Sequence, residues 1–185
     1  MKKGTYGYIS RMKLVSGLIA AAAFGMAAFV YFSGLHFFPA QRTMVAIVTT
    51  LICIPGAMAL VRFIMFMRFK EGSREIHDLT EKTRGGVPAF YDSIITTSDK
   101  SYVVDVFVAS ENDLIGCTSY DKVDIPKLEK HLNDIFTLNK YKSLNIRVFS
   151  NADKYRERLV TMSERSGSDN GRALAVLHLV GRISL

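Results

Sequence analysis

The first 70 residues of this 185-residue chain contain no aspartate or glutamate, although 17 acidic residues follow. Residues 14–41 and 43–61 also lack lysine and arginine. About 20 apolar residues span a hydrocarbon core of roughly 30 Å, and backbone polar groups inside lipid must be satisfied within the segment. The absence of charge therefore predicts two transmembrane helices.

Two alternatives compete with a first transmembrane helix. A buried core helix is disfavoured because two such apolar runs occur in one short chain. A cleaved signal peptide would use the basic residues before position 14 and the alanines at positions 20–23, but its apolar core is usually about 7–15 residues long. Here the apolar run continues through Phe24, Phe29 and Phe32, which favours an uncleaved helix.

Cysteine and clustered histidine are also scarce. Cys53 falls in the second apolar segment and Cys117 in a predicted strand, so we expect no disulfide, in keeping with a reducing compartment. The four histidines are scattered, whereas zinc sites need Cys or His ligands at close spacing. Glycine-rich phosphate loops and the nucleophile elbow do not occur in the sequence. We therefore expect no metal, no cofactor and no catalytic set of residues.

The formal net charge of +7 suggests nucleic-acid binding if the chain is taken as a whole. Residues 1–70 hold eight basic residues, which leaves 16 basic and all 17 acidic residues, a net charge of −1, for residues 71–185. The later part therefore has no electrostatic case for nucleic acid. The positive excess flanks the apolar segments, where anionic lipid head groups attract it. These basic flanks are Lys2, Lys3, Arg11, Lys13, Arg62, Arg68 and Lys70.

The same charges predict the orientation. Cytoplasmic flanks of membrane helices carry an excess of lysine and arginine. Basic residues precede the first segment and follow the second, whereas the link between them offers only His36 and Arg42. We therefore expect a two-span protein of the cell (inner or plasma) membrane, with both termini in the cytoplasm and a short loop outside.

Small residues recur every four positions on both predicted spans. Such stripes let helix backbones approach closely in lipid, and the alternative is that alanine and glycine are simply common in membrane helices. The candidate helix-packing residues are Gly17, Ala21 and Gly25 on the first span and Thr49, Cys53 and Ala57 on the second.

The predicted elements divide the chain into four parts. A basic cytosolic leader occupies residues 1–13, and a two-helix transmembrane hairpin occupies residues 14–67, with spans at about 14–35 and 43–66. A helical connector and hinge follow at residues 68–88, where Gly85-Gly86 ends a short helix. Residues 89–185 are predicted to form a cytosolic domain of the α+β class.

Within this domain, two short turns join three strands into an antiparallel meander, and a helix, a fourth strand and C-terminal helices follow. Asp124-Ile125-Pro126 begins the helix after the meander. Residues 172–182 fit a helix better than a strand, and both remain open. Alternation along residues 101–109 predicts one face made of Tyr102, Val104, Val106 and Val108 and the opposite face made of Val103, Asp105 and Phe107.

This order of elements resembles the core of restriction-endonuclease-like nucleases. That family places an acidic residue on one strand and an acidic-x-Lys triplet on the next, where they hold a metal ion and activate water. Asp105 matches the first acid, but Gly116-Cys117-Thr118 stands where the triplet should be. The resemblance therefore concerns topology, and topology alone does not carry function.

Four short motifs, distributed over most of the chain, carry a second resemblance. They are Thr5-Tyr6-Gly7-Tyr8, Phe63-Ile64-Met65-Phe66, Leu114-Ile115-Gly116-Cys117-Thr118-Ser119 and Ile183-Ser184-Leu185. With them the chain resembles a family of uncharacterised bacterial two-span integral membrane proteins with a small cytosolic α+β tail. The resemblance implies a location and an architecture, and it implies no chemistry.

Three functions are open at this point. The first is a non-enzymatic binding or assembly module, in which the hairpin tethers a domain that docks a protein partner or a second copy through an apolar or strand-edge patch. The second is an accessory subunit of a membrane transport or envelope complex. The third is a membrane-associated enzyme with a degenerate nuclease-like or transferase domain, which needs ionisable groups converging in one cleft. The lack of site motifs favours the first.

Overall fold

A computed structural model describes residues 3–97, 100–120, 123–141, 143–165 and 171–185 of the chain. The chain forms two compact units. One contains residues Met1–Tyr8 together with Glu71–Leu185, and we call it the α+β unit; the other, Ile9–Lys70, is the hairpin unit.

The hairpin unit is built from two long helices. Helix α1 covers Tyr8–Phe37, a single 3-10 turn covers Pro39–Gln41, and helix α2 covers Arg42–Met67 and continues through Pro55. Both helices are long and apolar enough to cross a membrane. This agrees with the two predicted spans at the level of length and composition.

The two helices of the hairpin run antiparallel. Glycines on each helix lie against side chains of the other helix. A Cβ atom placed on Gly56 would lie 3.0 Å from the Cβ of Ala23, and one placed on Gly17 would lie 3.1 Å from the Phe63 ring. Ala20 and Ala27 on α1 are buried. Small side chains therefore line the contact, which is the packing that apolar helices use in lipid.

The α+β unit contains one four-stranded sheet in the order β1-β2-β3-β4. Strands β1 (Ala89–Thr96), β2 (Ser101–Ala109) and β3 (Asp113–Cys117) form an antiparallel meander. Strand β4 (Asn145–Phe149) pairs parallel to β3 after a helical crossover. The predicted α+β class and the three-strand meander are confirmed.

Two helices cover each face of the sheet. Helices α4 (Ile125–Leu138) and α6 (Gly171–Ile183) share one apolar cluster with the sheet, and α3 (Arg74–Thr83) and α5 (Ala152–Arg165) share another. The Asp124 carboxylate accepts a hydrogen bond from the Lys127 N–H at 3.2 Å and so caps α4, as its position before Pro126 predicts. The helical interpretation of residues 172–182 is also confirmed.

The predicted faces of β2 are wrong in one half of the strand. Tyr102 and Val104 face the α4–α6 cluster, but Phe107 faces it too, while Val106 and Val108 face the α3–α5 cluster. The alternation of side chains between the two faces of the sheet therefore shifts by one residue at Asp105. The partner position, Asp92, has a φ of 50°, and the β1–β2 ladder skips this pair of residues. A left-handed residue rotates the strand, which is a change that the period-two pattern cannot show.

The segment that precedes β1 contributes to the core of the α+β unit. Ile76 of α3 belongs to the α3–α5 cluster. The buried Thr80 hydroxyl lies 3.1 Å from the hydroxyl of Tyr155 on α5. The part of the chain that the sequence predicts as a connector thus includes a helix that buries apolar and polar groups against the sheet.

Candidate functional site

Asp92 is a buried carboxylate of the α+β unit that accepts several backbone hydrogen bonds. Its Oδ2 accepts hydrogen bonds from the N–H groups of Gly7 at 2.7 Å and Tyr8 at 3.1 Å, and its Oδ1 accepts one from the N–H of Gly72 at 3.2 Å. The side chain is 3% exposed. One buried carboxylate therefore joins three chain segments that are far apart in sequence.

Asp105 lies opposite Asp92 on β2 and is bonded less completely. Its Oδ2 accepts a hydrogen bond from the Ser119 N–H at 2.8 Å. Its Oδ1 is buried and, among the residues that the structure describes, no donor completes a hydrogen bond to it, although the Ser73 amide lies close enough to favour the ionised form. This carboxylate is therefore less completely bonded than Asp92, which has three backbone donors within hydrogen-bond distance.

Burial raises the pKa of both carboxyl groups. At Asp92 the three backbone N–H donors oppose that rise, and at Asp105 the negative charge of Asp92 adds to it. Gly72 lies against both residues: a Cβ atom there would be 2.7 Å from Asp92 Oδ1 and 3.3 Å from Asp105 Cβ. The backbone at Gly72 thus fills the space beside the two carboxylates. The carboxylates therefore bind the protein's own backbone and hold the segments around Gly7 and Gly72 in place.

The raised pKa of Asp105 predicts a pH dependence of stability. Because the folded protein holds this proton more tightly than the unfolded chain, the contribution of Asp105 to stability is fully present below the unfolded pKa of about 4 and is lost as the pH rises through the folded pKa. Asp105→Asn cannot ionise. We therefore expect the thermal midpoint of Asp105→Asn relative to wild type to increase as the pH rises above about 4.

Circular dichroism of the full chain in neutral detergent measures this difference. Asp134→Asn is the matched control, because Asp134 is exposed on α4. If the difference for Asp105→Asn changes with pH no more than the difference for Asp134→Asn does, the buried carboxylate does not control stability.

The N-terminal leader makes further contacts inside the α+β unit. The Gly4 carbonyl accepts a hydrogen bond from the Tyr91 N–H at 3.0 Å. Gly4 has a φ of 88°, and a side chain there would overlap the Phe90 ring. The Tyr6 ring packs on His77 of α3 with centroids 4.4 Å apart. Residues 4–8 therefore lie along the outer edge of β1 and cover part of an otherwise open strand.

The C-terminal residues cover another part of this edge. The Leu185 N–H donates to the Ile94 carbonyl at 3.1 Å, and the Ile94 N–H donates to the Ser184 hydroxyl at 3.2 Å. The Lys3 ammonium donates to the Ser184 carbonyl at 3.1 Å, which joins the leader to the C-terminus.

Beside this covered edge the surface opens into a groove between α6 and β1. The groove has a volume of about 620 Å³. Leu174, His178 and Arg182 are spaced four residues apart on α6 and form an exposed ridge along it. The other lining residues are Lys3, Pro88, Ala89, Phe90, Leu177 and Gly181. This groove is the candidate binding site of the α+β unit, since it combines apolar surface with a few cationic groups.

A second groove lies on the other flank of the same ridge. It has a volume of about 510 Å³ and is lined by Asn139 and Tyr141 together with residues of α6. Leu138, the neighbour of Asn139 in the chain, is 83% exposed, and Leu174 on the ridge is 57% exposed. The ridge is therefore flanked by concave surface on both sides and carries apolar groups in contact with solvent.

The predicted helix-packing residues occupy different positions on the hairpin. Gly17 lies at the contact between α1 and α2, and Thr49 and Cys53 are half-buried. Ala21, Gly25 and Ala57 are exposed, and a Cβ atom on Gly25 would have no neighbour within 4 Å. Gly56 lies against Ala23 at the contact between the two helices, and Ala20 and Ala27 are buried.

The predicted basic flanks are spread along the chain. Lys2 lies outside the described residues, and Lys3 lines the α6 groove. Arg11 and Lys13 lie in the first turns of α1, Arg62 in the last turns of α2, and Arg68 and Lys70 follow that helix. These positions are compatible with contact with lipid head groups at the helix ends.

The nuclease-like pattern does not assemble a metal site in the described part of the chain. Asp105 is buried on β2, and Gly116 and Cys117 lie on β3 where the triplet would stand. No group of three or more His, Cys, Asp or Glu side chains there could hold a metal ion. Burial raises the pKa of the Cys117 thiol to about 12, so the thiolate that nucleophilic chemistry needs is scarce at neutral pH.

The sequence interpretation misses the α6 groove because its parts come from distant segments. A signal was present in the helical spacing of Leu174, His178 and Arg182, which places an apolar and two basic groups on the exposed side of a helix whose other side is apolar.

Comparisons with protein-family models, with curated proteins and with solved structures find no match to this chain.

Proposed function

We propose that this protein is a membrane-anchored binding module. Its two apolar helices hold it in the cell membrane, with both termini in the cytoplasm, and its α+β unit docks a protein partner. The observation that carries this proposal is the α6 groove, an exposed surface of mixed apolar and basic character. The buried carboxylates of the same unit accept hydrogen bonds from its own backbone.

Chain connectivity supports the proposed topology. Residues 3–8 of the leader and the described residues from Glu71 onward belong to one compact unit. A folded unit that contains both flanks of a helical hairpin needs them on the same side of a membrane, which is the arrangement that two spans produce. The excess of lysine and arginine on those flanks favours the cytoplasmic side.

Cysteine labelling tests the topology. In a background with Cys53 and Cys117 changed to serine, a membrane-impermeable maleimide applied to intact cells should label Ala40→Cys in the turn between the helices. It should label Lys154→Cys, on the exposed surface of α5, only after the cells are permeabilised. Labelling of Lys154→Cys in intact cells would contradict a cytoplasmic α+β unit.

Crosslinking in intact membranes, followed by purification, tests the binding role. We expect a protein that is recovered in stoichiometric amount with the full chain and not with a hairpin of residues 9–70 alone. Recovery with the hairpin alone would assign the contact to the membrane helices and would favour an accessory subunit of a membrane complex. Absence of any stoichiometric protein would contradict the binding module and favour an enzyme.

A further inference from the structure

The charged groups around the α6 groove are unbalanced. Among the described residues, the charged groups that line it are Lys3 and Arg182, and His178 adds an imidazole. That part of the lining contains no aspartate or glutamate. Neither Lys3 nor Arg182 forms a salt bridge within the residues that the structure describes. The described surface therefore presents positive charge without a paired carboxylate, on a unit whose sequence is close to neutral.

Apolar and basic groups are separated along the ridge. Leu174 lies at one end and Arg182 at the other, eight residues further along α6, which corresponds to about 12 Å of helix. Phe90 and Leu177 continue the apolar surface toward β1, and Tyr141 continues it on the other flank. A complementary ligand therefore has apolar groups at one end and negative charge at the other, over roughly two helical turns.

The shape of the surface favours a peptide over a single anionic head group. Two grooves, each of several hundred Å³, flank the ridge. A ligand that fills both has to straddle the ridge, as a helical segment with large side chains on one face does when it binds a grooved surface. One phosphate group would neutralise the basic end and leave the apolar end in water.

We infer that the α6 groove binds an acidic amphipathic segment of a partner protein, whose apolar side chains contact Leu174 and Phe90 and whose carboxylates contact Arg182 and Lys3. This inference rests on the proposed binding function and names the surface and the chemistry of the partner.

Fluorescence anisotropy tests the inference directly. The full chain is placed in nanodiscs of neutral phosphatidylcholine, and the probe is a fluorescein-labelled 14-residue helical peptide with leucine at every third or fourth position and glutamate at most others. We expect saturable binding. A peptide of the same pattern with lysine in place of glutamate should bind at least about tenfold more weakly, because it places like charges together.

Three substitutions locate the site. Arg182→Glu should weaken binding of the acidic peptide at least about tenfold and strengthen binding of the lysine peptide, since the charge of the groove is reversed. Leu174→Asp should weaken binding of both peptides. Lys130→Glu, at an exposed position of α4 outside the groove, is the matched control and should change the affinity less than twofold. If Arg182→Glu has no larger effect than Lys130→Glu, the inference is wrong.

Folding and lipid are controlled separately. Arg182→Glu and Leu174→Asp should retain the thermal midpoint of the wild type, because both side chains are exposed. Nanodiscs that contain phosphatidylglycerol provide the lipid arm. Failure of the acidic peptide to bind, together with phosphatidylglycerol that co-purifies with wild type and not with Arg182→Glu, would overturn the peptide inference in favour of an anionic lipid.

The outcomes separate this inference from the proposed function. A partner that is still captured from membranes by Arg182→Glu would leave the binding module standing and would place its contact elsewhere on the chain, against the inference. Peptide binding that depends on Arg182, with no partner captured from membranes, would support the groove chemistry and contradict the proposed role.

Discussion

Replacing Asp92 with alanine is expected to destabilise the α+β unit by about 3–5 kcal/mol, because the substitution removes the acceptor of three backbone N–H groups at once. Hydrogen bonds to a charged group contribute about 1.5–3 kcal/mol each, and relief of the buried charge offsets part of their loss. Asp92 also has a φ of 50°, a conformation that aspartate and asparagine adopt far more readily than alanine. The loss of acceptor and the backbone strain act in the same direction.

The labelling rate of Cys117 measures this effect in the intact protein. Cys117 is 0% exposed and lies on β3, in the interior of the sheet, so a thiol reagent reaches it only when the unit opens. In a Cys53→Ser background, a loss of about 3–5 kcal/mol corresponds to labelling that is about 100- to 5,000-fold faster, at about 1.4 kcal/mol per factor of ten. A rate within threefold of wild type would mean that Asp92 does not hold the unit together.

Asp92→Asn separates the two contributions. Asparagine tolerates a positive φ, and its Oδ1 can still accept a hydrogen bond, but its amide group faces N–H donors that it cannot accept from. We therefore expect a loss of about 2–3 kcal/mol, smaller than for alanine. Equal losses for the two variants would mean that neither the positive φ nor the acceptor that asparagine retains contributes measurably.

The hairpin and the order of the elements could be predicted because they depend on patterns that are local in sequence. Charge is excluded from a membrane-length run, strands alternate, and the Asp124-Ile125-Pro126 start of α4 is a contiguous signal. Each of these follows from the chemistry of neighbouring residues, so a single sequence suffices to identify them.

The buried carboxylate pair could not be predicted for a physical reason. Asp92 adopts a left-handed conformation without being a glycine, and the groups that it binds are backbone N–H groups, which every residue except proline carries. The attachment of residues 4–8 to β1 likewise uses a carbonyl and two amides. Side-chain patterns do not report such contacts. The interrupted alternation of β2 occurs at the same place, where the β1–β2 ladder skips Asp92 and Asp105.

The groove on α6 could be predicted only in part. The apolar face of residues 172–182 identifies the side that packs on the sheet, and by elimination Leu174, His178 and Arg182 are left in solvent. Lys3 and Phe90 join them through the fold, across a sequence distance of more than 80 residues. The positive charge of Lys3 can therefore serve the groove or contact lipid head groups, and the sequence alone supports both interpretations equally well.

Gly72→Ala is expected to cost about 2–4 kcal/mol, although it adds one methyl group. That methyl carbon would lie 2.7 Å from Asp92 Oδ1 and 3.3 Å from Asp105 Cα. Asp105 directly precedes Val106, which pairs with Cys117 of β3, so a shift of its backbone would disturb that pair and the segment around Gly72 has to move instead. Such a movement breaks the hydrogen bond from the Gly72 N–H to Asp92 and leaves the carboxylate with two donors.

Gly86→Ala is the matched control for this substitution. A Cβ atom on Gly86 would have no neighbour within 4 Å among the described residues, so alanine there should change the stability by less than about 0.5 kcal/mol, or raise it slightly by restricting the unfolded chain. In the Cys117 labelling assay, Gly72→Ala should react about 30- to 1,000-fold faster than wild type and Gly86→Ala at the wild-type rate. If Cys117 reacts at the same rate in both variants, the segment around Gly72 moves without loss of stability, and the two aspartates do not fix its position.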